Sequence, residues 1–94
     1  MLTITEIQQK ASPVLKKAGV RRCSVFGSFA RGEATDTSDL DILVEVPRGT
    51  TFFDLVDLSS ELESTLERRI DLLTYRSVHP RLRERIEHEQ LQIL

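Results

Sequence analysis

Apolar residues recur at helical spacing near the start of the chain, at Ile4, Ile7, Ala11, Val14, Leu15 and Ala18. Thr3 and Glu6 ahead of them read as a capping box. Pro13 interrupts this helix: either it kinks a single helix, or Ser12 caps a second short one with Pro13 at its first position. Gly19 ends the helical region. The run Cys23-Ser24-Val25-Phe26 is short, partly β-branched and bounded by Gly27, and predicts a first strand. Leu40 to Val46 predicts a second strand, ended by Pro47-Arg48-Gly49. Thr51 opens a long helix with Leu55, Leu58, Leu62 and Leu66 on one face and acids on the other. Of Phe52 and Phe53 at its start, one is expected to pack inward and the other either packs too or is exposed for a partner or a base, with core packing favoured for both. Ile70 to Tyr75 predicts a third strand, and Ser77 to Gln90 a final helix with Leu82 and Ile86 inward. Leu91 to Leu94 either extends that helix or adds an edge strand. The order of elements predicts one α/β (α+β) domain over residues 1–94, with helices packed on a small mixed sheet of three or four strands.

Composition narrows the class without naming a function. The 94 residues are 39% hydrophobic and 30% charged, which suits a single folded core and excludes a largely disordered chain. A net charge of −2 gives no surplus for general binding of nucleic-acid backbones. Cys23 is the single cysteine, so no internal disulfide and no Cys/His metal spacing exist; it reads as a small buried hydrophobe on the first strand. No apolar run approaches the roughly 20 residues that span a bilayer, and MLTITEIQQK lacks the basic start and apolar core of a signal peptide. The expectation is a soluble, cytoplasmic protein.

Candidate chemistry concentrates in GSFARGEATDTSDLDILV, residues 27–44. Asp39 and Asp41 are alternate residues at the entrance of a strand, so they face one way with Cα atoms roughly 6.5–7 Å apart. Two such carboxylates suit a hard cation with oxygen ligands; without one they repel, and one tends to keep its proton. The plainer reading puts Asp39 in a polar turn and lets Asp41 begin the strand. Asp71 lies in another apolar strand, where a solitary acid is costly. It either completes a three-carboxylate cluster or pairs with Arg68 or Arg69. Gly27-Ser28 offers the phosphate side: Gly permits a sharp turn and close approach, and Ser28 supplies a hydroxyl. If Phe29 to Glu33 start a helix, their free N–H groups face an anion. Arg31 pairs either with phosphate or with Glu33 or a loop Asp, and Gly32 serves the turn.

Gly27-Ser28, ten residues, then Asp39-x-Asp41 resembles the signature of the DNA polymerase beta-like nucleotidyltransferase superfamily. The longer string resembles its smallest branch, the minimal nucleotidyltransferase (MNT) domains, and the likeness covers nearly the whole chain. The resemblance implies two Mg²⁺ ions on Asp39 and Asp41, with Asp71 ligating the metal that activates an acceptor hydroxyl. It implies ATP as substrate, its β- and γ-phosphates held at Gly27 and Ser28 with Arg31 beside them, and AMP as the group transferred. It further implies a HEPN ribonuclease toxin as partner, neutralised by AMP placed on a tyrosine. Two alternatives accompany that reading: an antitoxin that only binds, with a vestigial site, and a transferase acting on a small molecule. Phe29 departs from the family pattern, which often has a basic or polar residue there.

Outside the motif the bland readings are the favoured ones. Arg68, Arg69, Arg76, Arg81, Arg83 and Arg85 make the last third locally basic. Pairs such as Arg81–Glu84 and Arg83–Glu87 on a solvated helix account for most of them. Tyr75 reads as core rather than as a self-modification site. His79 and His88 read as surface or capping residues.

Overall fold

The computed structural model describes residues 2–35 and 37–94. Its elements run α1 (Ile4–Lys17), β1 (Arg22–Phe26), β2 (Leu40–Glu45), α2 (Phe52–Leu66), β3 (Ile70–Thr74), a 3-10 turn (Tyr75–Ser77), α3 (Pro80–Glu89) and β4 (Leu91–Gln92). The sheet has the order β3-β2-β1-β4. β1 is antiparallel to both β2 and β4, and β2 is parallel to β3. The sheet is therefore mixed, and the last residues add the edge strand rather than lengthening α3.

Local chemistry explains where the helices begin and end. Thr3 caps α1 by accepting the Glu6 amide (3.1 Å), and one helix runs through Pro13. The proline ring is on the exposed side, where water can serve the carbonyl that its missing N–H leaves free. After Lys17 the chain closes a Schellman motif: Gly19 at φ +77° donates to Lys16 O, and Val20 to Leu15 O (3.1 and 3.0 Å). Thr51 and Asp54 form a reciprocal capping box on α2. His79 caps α3, its Nδ1 accepting the Arg81 amide at 3.1 Å, with Pro80 in the first turn.

One face of the sheet carries the main core. Cys23, Val25, Leu40, Ile42 and Val44 are buried there against Ile7, Ala11, Val14 and Leu15 of α1 and Leu58, Leu62 and Leu66 of α2. Burial pushes the Cys23 thiol up to about 12, so it is an inert part of this packing. Ile93 joins the core at 3% exposure, while Cys23 exchanges backbone hydrogen bonds with Ile93 and Leu94. Leu43 and Val78 are buried outside that cluster and share a lining with Ile86, which covers the second face from α3.

Two expectations about burial fail. Phe52 and Phe53 are 74% and 77% exposed rather than in the core. The buried stripe of α2 is Leu58, Leu62 and Leu66, and residues 52, 53 and 56 project away from it. Leu82 is likewise exposed, because α3 turns only Ile86 toward the sheet. Among the described residues the ion pair within α3 is Arg85–Glu89 (3.3 Å), not Arg81–Glu84 or Arg83–Glu87. No helix is long and apolar enough to cross a membrane.

Candidate active site

The second face of the sheet places the acids. Asp41 sits opposite Phe26 of β1 and in register with Asp71 of β3. Both carboxylates therefore leave the same face at neighbouring positions on parallel strands. Asp41 is half-buried and Asp71 exposed. Burial, the charge of Asp71, a hydrogen bond to it and the charge of Asp39 push the Asp41 carboxyl up to about 6; only Arg31 pulls it the other way. Like charges kept this close without a structural counter-ion are the condition that a hard cation relieves.

Asp39 precedes β2 by one residue and shares the parity of Asp41, but its Oδ1 is 3.6 Å from Arg69 Nε on the exposed side. The neighbouring Leu40 amide donates to Arg69 O at 2.9 Å. Asp39 thus contributes charge at a distance while its side chain is turned to an arginine. Among the described residues no three His, Cys, Asp or Glu side chains are gathered closely enough to enclose a metal ion. The structure brings Asp41 and Asp71 together and leaves Asp39 beside them. Arg69 pairs with Asp39 and not with Asp71.

The Gly-Ser turn closes the site from β1. Gly27 adopts φ +70°, and a Cβ there would overlap Asp41 Oδ2. Phe29 to Glu33 do not start a helix. They form a turn in which Arg31 N donates to Gly27 O, Gly32 N to Phe29 O and Glu33 N to Ser28 O (3.1, 3.3 and 2.8 Å). Glycine at 32 and the Arg31–Glu33 ion pair favour this tight turn over a continued helix. Among the described residues the Ser28, Phe29 and Ala30 amides donate to no backbone carbonyl.

Arg31 is held by acids: Nε donates to Glu33 Oε2 (3.1 Å) and Nη1 to Glu89 Oε2 of α3 (3.4 Å). Asp36, the remaining loop acid considered for it, lies outside the described residues. Phe29, the departure from the family pattern, is 8% exposed and belongs to the core. Arg68 stacks on its ring at 4.9 Å and donates to the Thr35 and Ser38 carbonyls, both at 3.0 Å. Sequence reading missed this clamp. Arg68 reads there as a surface charge or a partner for Asp71; carbonyls 33 and 30 residues away cannot be seen in a local pattern.

A Gly-Ser turn at the end of one strand, set against a carboxylate pair on the next two, defines a nucleotide-transfer domain. Its strand order, its helices and its site all arise within one short chain. The chain belongs to the polymerase beta nucleotidyltransferase family, whose sequence model matches residues 9–94. It is 50% identical over 93 residues to a Methanocaldococcus jannaschii protein named "Putative protein adenylyltransferase MJ0435", covering 99% of this chain and all of that one. A solved "putative minimal nucleotidyltransferase" superposes with a TM-score of 0.82 at 36% identity, covering 96% of this chain and 95% of the other. A tri-AMPylated Shewanella oneidensis HEPN toxin in complex with an MNT antitoxin contains a chain matched at TM-score 0.75 and 21% identity. There 96% of this chain and 71% of that one are covered, a likeness of fold.

Proposed function

We propose that this domain transfers AMP from ATP to a hydroxyl of a partner protein, a tyrosine of a HEPN toxin, and so acts as the antitoxin of a toxin–antitoxin pair. The observation that carries the reading is the register of Asp41 with Asp71 beside the side-chain-free surface of Gly27. Support for adenylyl transfer to protein comes from the name borne by the half-identical relative. Support for the partner comes from the toxin in the complex that shares this fold.

The donor set fits magnesium. Asp41 and Asp71 are oxygen donors side by side with Asp39 next to them, and burial together with the charge of Asp71 raises the proton affinity that a cation on Asp41 would offset. Magnesium bound to them would supply charge neutralisation for the triphosphate and acidify the acceptor hydroxyl. The chain's own groups do the rest. The Ser28 hydroxyl and the free amides of Ser28, Phe29 and Ala30 hold phosphate oxygens, as fixed donors need no reorganisation. The bare Gly27 surface lets the nucleotide lie against the sheet. Asp71, the more exposed carboxylate, accepts the proton of the attacking hydroxyl. That oxygen bonds to the α-phosphorus as the bond to the β-phosphate bridging oxygen breaks, and pyrophosphate leaves.

The test is incubation with ATP labelled at the α-phosphate, Mg²⁺ and a cognate HEPN protein, beside an Asp39→Asn/Asp41→Asn control. Label on a partner tyrosine that disappears in the control is expected. A complex that neutralises the toxin equally well in both versions, with no label in either, would replace transfer by binding alone. The Asp39–Arg69 ion pair is the observation that keeps that second reading in view.

A further inference from the structure

A second cluster of charge lies farther along the sheet, from Leu43, two residues or roughly 7 Å along β2 from Asp41, to Glu45, roughly 13 Å from it. Two adjoining cavities of about 280 and 360 Å³ open there and share Tyr75 and Arg76. Arg22, Arg76 and Arg83 line the first, where the part-exposed Ile86 is the apolar floor and Leu43 and Val78 are buried beneath it. Arg21 and Arg48 line the second. Glu87 and Glu45 are the acids on the two linings, so five guanidiniums face two carboxylates.

The arginines of this protein sort into two groups, and Arg81, exposed and outside both cavities, joins the unpaired one. Arg31, Arg68, Arg69 and Arg85 are each bonded to or ion-paired with a carboxylate or carbonyl. Among the described residues Arg21, Arg22, Arg48, Arg76 and Arg83 have no such partner, although all five line the two adjoining cavities that meet at Tyr75 and Arg76. Neighbouring unpaired cations repel, and a chain with net charge −2 has acids enough to pair them elsewhere. At the centre of the wall Arg22 and Tyr75 are held in place. Arg22 lies 4.0 Å above the Tyr75 ring, and the Tyr75 hydroxyl is hydrogen-bonded to the buried Ser24 (2.6 Å) and to Gln90 (3.1 Å). Residues whose supporting partners are fixed hold a ligand geometry without much loss of entropy.

We propose that this concavity is a second ligand site, distinct from the carboxylate site, that binds a nucleotide-like anion: two or more phosphates on the arginine wall and a flat ring on the apolar floor. Guanidinium forks match phosphate oxygens in pairs, and the combined cavity volume has the scale of small-molecule sites. An apolar floor under arginines suits a molecule with both kinds of surface better than a flat acidic protein face. A ligand here touches β1, the end of β3 and α3, the last of which reaches Arg31 through Glu89.

The test is nitrogen-15 NMR of the intact chain in EDTA, where the carboxylate pair has no cation and repels phosphates. Tripolyphosphate, ATP, adenosine and a hexaglutamate peptide are titrated separately. ATP is expected to bind tightest, with shifts at Arg22, Tyr75, Arg76 and Arg83 amides. The double change Arg76→Gln/Arg83→Gln is expected to weaken it by at least roughly a hundredfold, as two charge-assisted contacts are lost. The same variant should keep its melting temperature. Shifts confined to Gly27 and Ser28, affinity unchanged in the double variant, or hexaglutamate binding more tightly than tripolyphosphate would each overturn the proposal, the last in favour of an acidic protein segment.

Discussion

Gly27 leaves the space that the Asp41 carboxylate occupies: with φ at +70°, a Cβ on residue 27 would overlap Asp41 Oδ2. The two residues are thereby coupled across the β1–β2 pair, one by having no side chain and the other by needing that room. Gly27→Ala combines a disfavoured left-handed backbone with this overlap. It is expected to cost about 1–3 kcal/mol of stability and to reduce AMP transfer more than stability alone explains, because Asp41 must turn away. Thermal melts read the first effect. Transfer assayed well below the variant's melting temperature reads the second.

Asp41 sets activity against stability. Its carboxyl is pushed from 3.8 up to about 6 in the folded chain, so the folded state holds the proton more tightly than the unfolded one. Stability should therefore fall as pH rises from about 4 through 6, and level off above. Asp41→Asn removes that titration. In EDTA at pH 7 the variant is expected to melt several degrees higher than the parent, the difference vanishing near pH 4, while transfer drops by at least about a hundredfold. Millimolar Mg²⁺ at pH 7 should raise the melting temperature of the parent and not of the variant. A parent whose melting temperature is flat across pH 4 to 7 would mean that the folded chain does not raise the proton affinity of Asp41.

Much of this architecture is legible in sequence where the hydrophobic pattern is local. The strand at Leu40 to Glu45 is bounded by its acids and by Pro47, and the Leu58, Leu62, Leu66 stripe fixes the inner face of α2. The Gly27-Ser28 to Asp39-x-Asp41 spacing locates the site because turn and strand entrance must meet whenever β1 and β2 pair antiparallel. What is not legible depends on partners distant in sequence. Phe52 and Phe53 look like core from their type and are surface from their angle on the helix. Asp39 has the parity of a ligand, yet its side chain is turned to Arg69, the residue before β3. The helix start considered for Phe29 to Glu33 gives way to a turn stitched by Arg31, Gly32 and Glu33, a competition between two local patterns that sequence alone does not rank.

Arg68 governs the loop that carries Asp39 into β2. It donates to Thr35 O and Ser38 O and covers the Phe29 ring, tying both ends of the motif to the end of α2. Arg68→Ala is expected to cost about 1–3 kcal/mol, from two charged hydrogen bonds and a cation–π contact. Its kinetic mark should be a raised KM for ATP with a smaller change in kcat, since the loop is displaced while the Asp41–Asp71 pair stays in its strands. Arg68→Lys keeps the charge but not the planar fork, and should recover less than half of the loss. Full recovery by lysine would mean that charge near the loop is enough, and that the two carbonyl contacts are incidental.

Glu67 ends α2 in a conformation that suits glycine: φ is +52° and ψ +43°, the one left-handed non-glycine residue among those described. A side chain in that region costs roughly 1–2 kcal/mol. The charge is also ill placed, because the last turn of α2 has no basic residue and the helix dipole there favours cations. Against these stands the backbone entropy that glycine loses on folding, about 0.5–1 kcal/mol. Relief of strain and charge outweighs it, so Glu67→Gly is expected to stabilise the fold by about 0.5–1 kcal/mol, a rise of a few degrees in melting temperature. Glu67→Gln separates the two causes, since it removes the charge and keeps the Cβ. Glutamine should give less than half the gain of glycine if backbone strain dominates, and nearly all of it if the dipole does.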